Sequence, residues 1–430
     1  MTEDLWSAVT TAVIVPVTLR AWPAGLTDGP LPLRFSAGGG VAMSDRAARA
    51  SYFNAHTARV LYGPPDAGSG GSAPGPPDSG PRRGHCWLGP DHEDLLPTRV
   101  TALEVLSYGI TGAGRALVIV HLCLPTKDPL AELQELTVPR KVGVGNRLLD
   151  LLESGSAGLP LADVIEPVDG MVRPFAVTLA VPQGELPDGP FGPSFPWQPL
   201  QQWLFAFASA RTAGLFPADP EDGSLLDGFV RLSQDWSAMV LRDGVAFVGR
   251  KPATESPYLR DAADAYVRSI YLDAFLLGLI QQAELDAIMG RLAGLGGPLD
   301  RLADLLALEE DVSRFRNTYW WQHLTSHGTG NRLLVEFQRQ QAIPRLFEQV
   351  VRELDDYSRH ATLRADRQEQ RQLGRVNVLL SVLTVLTVPM TLLQVMIDAK
   401  VPLSWPWRLA VVGGSAVILL LILMRLNRRR

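Results

Sequence analysis

Polar side chains recur along one apolar run near the end of the chain. Asn377, Ser381, Thr384, Thr387, Thr391, Gln394 and Asp398 follow one another at steps of four, three, three, four, three and four. That averages close to the repeat of about 3.5 residues that keeps one helical face toward a bundle axis. Hydroxyls, amides and a carboxylate on one face supply oxygen atoms layer by layer, the chemistry of a pore for ions shared among several copies. Ser and Thr at such spacing also join apolar helices by hydrogen bonds, so a packing seam is the competing reading.

Other chemistry-bearing groups are sparser. The acidic pairs Glu309-Glu310 and Asp355-Asp356 are candidates for regulatory divalent ions between subunits, or plain solvated charges. His85, Cys86, His92, His121 and Cys123 are candidates to be brought together around zinc by the sheet, at spacings that match no standard zinc pattern. The alternative reading makes Cys123 a core thiol and leaves the histidines on the surface. His323 and His327 lie four apart beside Trp320 and Trp321, a geometry for a metal on a helix face or for packing at a helix end. Gly143-Val144-Gly145-Asn146 lacks the lysine and serine of a phosphate-binding loop. No catalytic residue emerges, and the expectation is a protein that is not an enzyme.

The polar stripe needs elements to hold it. The run Val376 to Ile397 is about 22 residues, enough for a helix to cross a bilayer. A polar break from Asp398 to Ser404, then Trp405 and Trp407, leads to a second apolar run from Leu409 to Met424. So short a loop predicts a transmembrane hairpin. Arg364, Arg367, Arg371 and Arg375 before it, and Arg425 and Arg428 to Arg430 after it, predict that both termini are cytoplasmic. The small residues from Ala410 to Ala416 suit close approach to a neighbouring helix.

Two C-terminal helices with a basic tail, and the segment Leu383 to Leu392 containing Pro389-Met390-Thr391, resemble the CorA-type metal-ion transporters. The family's Gly-Met-Asn signature would fall on Asp398-Ala399-Lys400, where it is absent, so these residues stand at the expected pore mouth. The resemblance implies a homopentamer in the lipid bilayer, multi-pass in a bacterial inner membrane. It also implies divalent-cation transport, magnesium or else zinc, cobalt or nickel. A ring of Lys400 would repel cations, which leaves a second reading: a membrane-anchored sensor or effector that has lost selective transport. In that reading the cytosolic domain binds a small ligand or protein.

The fold class expected is a cytosolic α/β domain over 1–255, a helical stalk over 256–375 and the transmembrane hairpin over 376–430. The chain has 430 residues, a formal charge of −5 and 46% hydrophobic residues. That balance, without a broad basic face, argues against a nucleic-acid partner. Two cysteines make no disulfide framework. Glu3 and Asp4 ahead of a short apolar run broken by Pro16 argue against a signal peptide.

Within the first domain, Ala12–Leu19, Arg99–Ser107, Arg115–Leu124 and Met171–Val181 read as strands, and Pro129–Leu136, Gly145–Ser154 and Leu200–Arg211 as helices. The Gly/Pro/Ser-rich 63–84 reads as a disordered excursion. Asp243-Gly244 between two apolar runs predicts a hairpin with a type I′ turn. Ser256-Pro257 opens the helical region, with helices to about Leu295, from Leu299 to about Gln322 and from Asn331 onward. Unbroken, the last would run from Asn331 to Ile397, roughly 100 Å at 1.5 Å per residue, with Pro344 bending or interrupting it.

Overall fold

The computed structural model describes residues 4–23, 25–31, 46–62, 84–89, 99–109, 114–137, 165–167, 174–212, 218–294, 302–321, 323–359 and scattered positions from 380 to 421. The chain forms two compact units. One comprises Met1–Pro298 and Leu306–Val351; the other comprises Leu299–Leu305 and Arg352–Arg430.

The first unit is built on a ten-stranded mixed sheet. Its strands are β1 (Trp6–Leu19), β2 (Thr27–Asp28), β3 (Gly84–Leu88), β4 (Val100–Tyr108), β5 (Arg115–Cys123), β6 (Ile165–Pro167), β7 (Phe175–Pro182), β8 (Phe229–Arg231), β9 (Trp236–Val240) and β10 (Gly244–Gly249). The order is β2-β3-β4-β5-β1-β7-β10-β9-β8, with β6 also on β1. Only β10 with β7 is parallel among the described pairs. The long central β1 pairs β7 from Trp6 to Ile14 and β6 from Val17 to Leu19. Pro16 falls in the gap between these two partners, where the strand has no ladder neighbour on that side.

Helices cover both faces, which is why β4, β5, β7 and β10 are apolar almost throughout rather than alternating. The helices are α1 (Arg46–Tyr52), α2 (Ala55–Tyr62), α3 (Pro129–Thr137), α4 (Pro199–Ser209), α5 (Pro257–Asp261), α6 (Ala263–Tyr266), α7 (Leu272–Gly294), α8 (Leu302–Thr318) and α9 (Gly328–Gln340). A π-helical turn, Val267–Tyr271, joins α6 to α7. On one face Trp6 meets Trp203 and Phe207 of α4 edge-on, at 5.0 and 5.4 Å. On the other, Phe175 of β7 meets Phe275 of α7 and Phe337 of α9 at 6.2 and 5.4 Å. Truncating any of these buried rings to Ala would cost about 3–5 kcal/mol.

The hairpin at Asp243-Gly244 is present, but its turn is not type I′. Leu241 faces Gly244 across Arg242-Asp243, and none of these residues has a positive φ. Gly244 is required by packing instead: a Cβ there would lie 2.7 Å from the Ala208 carbonyl oxygen and 2.9 Å from that of Ala176. Ser256 caps α5 as its spacing before Pro257 implied, accepting from the Leu259 N–H while donating to Asp235 at 2.8 Å.

The expected transmembrane architecture is corrected. Among the described residues no helix is long and apolar enough to cross a membrane, and no transmembrane hairpin is seen. The longest helix among the described residues, α7, has 23 residues but carries Asp273, Glu284, Asp286 and Arg291, charges that hydrocarbon does not accept, and it lies against the sheet core. Described positions between Leu380 and Leu421 are helical one or a few at a time, and the rest of 376–430 lies outside the described residues. The multi-pass inner-membrane location and the ion-channel expectation lose their footing with the hairpin. The long stalk helix is also broken. Helix α9 ends at Gln340 with Gln341 as its C-cap, Ala342 turns the chain with φ +53°, and helix resumes over 343–359 with Pro344 in its first turn. The excursion 63–83 and the helix expected at Gly145–Ser154 lie outside the described residues.

Candidate functional site

Charged residues placed inside apolar elements converge on one point of the first unit. Arg49 of α1 extends its guanidinium to Asp273, at the start of α7, donating from Nε at 3.2 Å and Nη2 at 2.7 Å. Its Nη1 donates to the Leu31 carbonyl at 2.9 Å and lies 3.6 Å from Glu104. The Tyr62 hydroxyl donates to the same Asp273 carboxylate. Glu104, in the middle of β4, accepts from the Leu31 N–H at 2.9 Å and contacts His121 Nε2 at 2.8 Å, with His85 Nδ1 3.5 Å away. Arg49, Glu104, Asp273, His85 and His121 are all buried.

Burial alone would raise the Glu104 pKa, yet Arg49 and the hydrogen bond from His121 hold it well below the usual carboxylate range. Burial likewise opposes the Arg49 charge, and Asp273 and Glu104 more than offset it. Burial and the Asp273 carboxylate keep Tyr62 a protonated donor.

The tautomer of His121 follows from its neighbours. Arg268, on the π-helical turn, donates from Nε to His121 Nδ1 at 3.3 Å. Arginine has no acceptor, so Nδ1 carries a lone pair and Nε2 carries the hydrogen given to Glu104. The imidazole is neutral, in line with burial lowering its pKa against the pull of Glu104. Arg268 also donates to Thr101 at 3.1 Å and lies 3.5 Å from Asp264, which accepts from Thr10 at 2.7 Å. The sequence Glu104, His121, Arg268, Asp264 and Thr10 thus ties three adjoining strands to the turn between α6 and α7.

Beside this network stands an edge of aromatic rings. Tyr52 stacks on His327 at 4.3 Å and 13°, and meets Tyr266 at 6.5 Å. Tyr266 lies 5.9 Å from Tyr258 and 5.8 Å from Tyr271. His327 is exposed, Tyr52, Tyr258 and Tyr266 are half-buried, and Tyr271 belongs to the π-helical turn. Burial, helped by Tyr271 and Tyr266, pushes the Tyr52 hydroxyl up to about 12. Burial and Tyr271 raise Tyr258 further, so these hydroxyls remain neutral donors. A second stack, His56 on Trp321 at 5.0 Å and 10°, closes the other end of the same seam. Between the two stacks, Asn54 N–H donates to the Leu324 carbonyl at 2.7 Å.

The residues singled out from sequence fare unevenly. His85 and His121 are buried around Glu104 while Cys123 is exposed, the reverse of the reading that put the thiol inside and the histidines outside. Cys86 is buried, and burial pushes its thiol up to about 12, so it is an inert core group. His92 and Gly143 to Asn146 lie outside the described residues. His327 stacks on Tyr52 and His323 lends its carbonyl to Asn54; both precede α9, so they do not share a helix face. Glu310 pairs with Arg314; in the second unit Asp355 pairs with Arg359 at 2.7 Å and Asp356 is exposed. Among the described residues no cluster of three or more His, Cys, Asp or Glu could hold a metal ion, Glu309 included.

Of the polar stripe, Thr384, Thr387 and Thr391 donate at 2.7 Å to carbonyls four residues earlier on their own helix. Gln394 is exposed, whereas Asn377, Ser381, Asp398, Ala399 and Lys400 lie outside the described residues. Sequence reasoning passed over Arg49, Glu104, Asp273 and Arg268. The available signal was a single charge inside an apolar run, Leu103-Glu104-Val105 and Leu272-Asp273-Ala274, because an isolated buried charge demands a partner. No protein-family model matches the chain, and no curated protein or solved structure matches it.

Proposed function

We propose that this chain is a sensor or effector rather than an enzyme, and that its sheet unit takes a small nucleotide-like ligand at the aromatic edge. The observation that carries the reading is the Tyr52–His327 stack, 4.3 Å apart with His327 exposed, leading through Tyr266 to Tyr271 of the π-helical turn. A planar base stacks on such rings for about 1–3 kcal/mol per base, and the neutral tyrosine hydroxyls offer donors around it. π-Helical turns recur at functional sites because they displace side chains from the regular helical ladder. The acid, base and guanidinium groups that would serve catalysis are turned inward and engage one another. Divalent-cation transport needs a path across a membrane, and among the described residues no helix is long and apolar enough to supply one.

The test is thermal unfolding of the full chain with ATP, GTP and a cyclic dinucleotide, beside magnesium, zinc, cobalt and nickel salts. A ligand at one hundred times its Kd stabilises by about 2.7 kcal/mol. The expected result is a rise in Tm with a nucleotide that Tyr52→Ala abolishes. A rise with metals alone, or a nucleotide effect that survives Tyr52→Ala, overturns the reading.

A further inference from the structure

We propose that His121 is a proton-operated latch: taking up a proton at Nδ1 releases the π-helical turn Val267–Tyr271 from the sheet. The geometry is specific. Nδ1 accepts from Arg268 Nε at 3.3 Å, and a proton on that nitrogen sets two N–H donors and two positive charges face to face. The bond is lost and the guanidinium is repelled. The other nitrogen, already donating to Glu104 at 2.8 Å, gains a charge-assisted partner, so protonation strengthens one side of His121 while breaking the other.

The groups around the imidazole come from every neighbouring element. β4 contributes Glu104 and Thr101, and β3 contributes His85 across Glu104. Helix α1 contributes Arg49, also beyond Glu104, while the turn contributes Arg268 and α6 contributes Asp264 behind it. Cys123 follows on β5 itself and is exposed. Of the other partners of Arg268, Asp264 lies in α6 and moves with the turn, whereas the bond to Thr101 of β4 breaks together with the His121 bond when the turn leaves the sheet. Tyr271 lies in that turn and Tyr266 immediately precedes it, so movement there reshapes the aromatic edge.

The sign follows from linkage. Burial and Arg268 hold His121 neutral in the closed state, whereas in the opened state Arg268 has moved away and Glu104 favours the charged imidazolium. Lowering the pH through the range where the opened state takes up this proton and the closed state refuses it therefore raises the opened population, by up to about tenfold per pH unit.

Amide hydrogen exchange of the full chain over residues 263–271, followed from pH 8 to pH 5, reads this directly after correction for intrinsic exchange. The expected result is a rise on acidification, by up to about tenfold per pH unit, in the unmodified protein. His121→Gln keeps a donor toward Glu104 and cannot titrate, so its exchange is expected to be flat. Arg268→Gln removes the latch and leaves the histidine, so its turn should exchange fast at both ends of the range. Imidazole nitrogen shifts at pH 8 should report hydrogen on Nε2. Hydrogen on Nδ1, or flat exchange in the unmodified protein, overturns the proposal. So does a pH-dependent rise in either variant that matches the unmodified protein; if one variant fails to fold, the other and the nitrogen shifts still decide.

Discussion

Arg49 holds Asp273 in a two-pronged grip, Nε at 3.2 Å and Nη2 at 2.7 Å, with the two side chains 4% and 0% exposed. It joins α1 to the first residues of α7 across 224 positions of sequence. A pair so deeply buried offsets its own desolvation only through complete hydrogen bonding, and Leu31, Tyr62 and Glu104 complete it here.

Arg49→Met leaves Asp273 with the Tyr62 hydroxyl and no cation against it. The expected loss is about 3–5 kcal/mol, the usual consequence of stranding one buried charge. Adding Asp273→Leu should recover much of that loss, since a well-packed apolar pair replaces the ionic one. Urea midpoints of the single and double variants check both statements. Equal losses in the two would show that packing, not charge, holds α1 in place.

Acid should weaken the first unit in two stages. His121 has a folded pKa below its unfolded value, so as pH falls through about 6.5 the unfolded chain gains a proton the folded chain refuses. Stability then drops by up to about 1.4 kcal/mol per pH unit from this group. Glu104 also has a depressed folded pKa, so its contribution is full above about 4.3 and is lost as pH falls below that. Urea unfolding at pH 8, 6, 5 and 4 should show a decline that steepens below about 4.5, and His121→Gln should remove the upper stage alone.

Gly278 lies inside α7, where alanine would ordinarily improve the helix by about 1 kcal/mol. A Cβ there would meet the ring of Phe337 on α9, 2.6 Å from Cε1. Gly278→Ala is therefore expected to destabilise by about 1–3 kcal/mol through overpacking. Phe337→Leu in the same chain should give back part of the loss. A Gly278→Ala variant more stable than the parent would mean that α9 shifts freely on α7.

Much of the sheet was legible from local pattern. The apolar runs around Ala12 and Arg115, and the part of the run expected from Met171 that begins at Phe175, lie in β1, β5 and β7, and Ser256-Pro257 announces α5 because capping is decided within a few residues. Two other features were not. The hairpin's position followed from Asp243-Gly244, but its turn type did not, because Gly244 answers to the Ala208 and Ala176 carbonyls from distant elements. The ionic network was only half legible: Glu104 and Asp273 each stand as a lone charge in an apolar run, but Arg49, Glu104, His121, Arg268 and Asp273 come from separate elements, and no local spacing signals their meeting. Apolarity near the C-terminus spoke loudly and was read as a membrane hairpin, whereas α7 shows that an apolar helix can instead lie on a sheet with its charges spread along it.

Ala342 marks the break between α9 and the helix over 343–359, with φ +53°. A non-glycine residue in this left-handed region costs about 1–2 kcal/mol. Glycine removes that strain but adds freedom to the unfolded chain, an opposing effect of about 0.4–1 kcal/mol. Ala342→Gly is thus expected to raise stability by about 0.5–1 kcal/mol, read as a higher urea midpoint with unchanged slope. Ala342→Val should do the opposite, since a β-branched side chain fits this conformation worst. A neutral result for both would show that residues 341 and 342 relax into a continuous helix in solution, and that Pro344 bends this segment without ending α9.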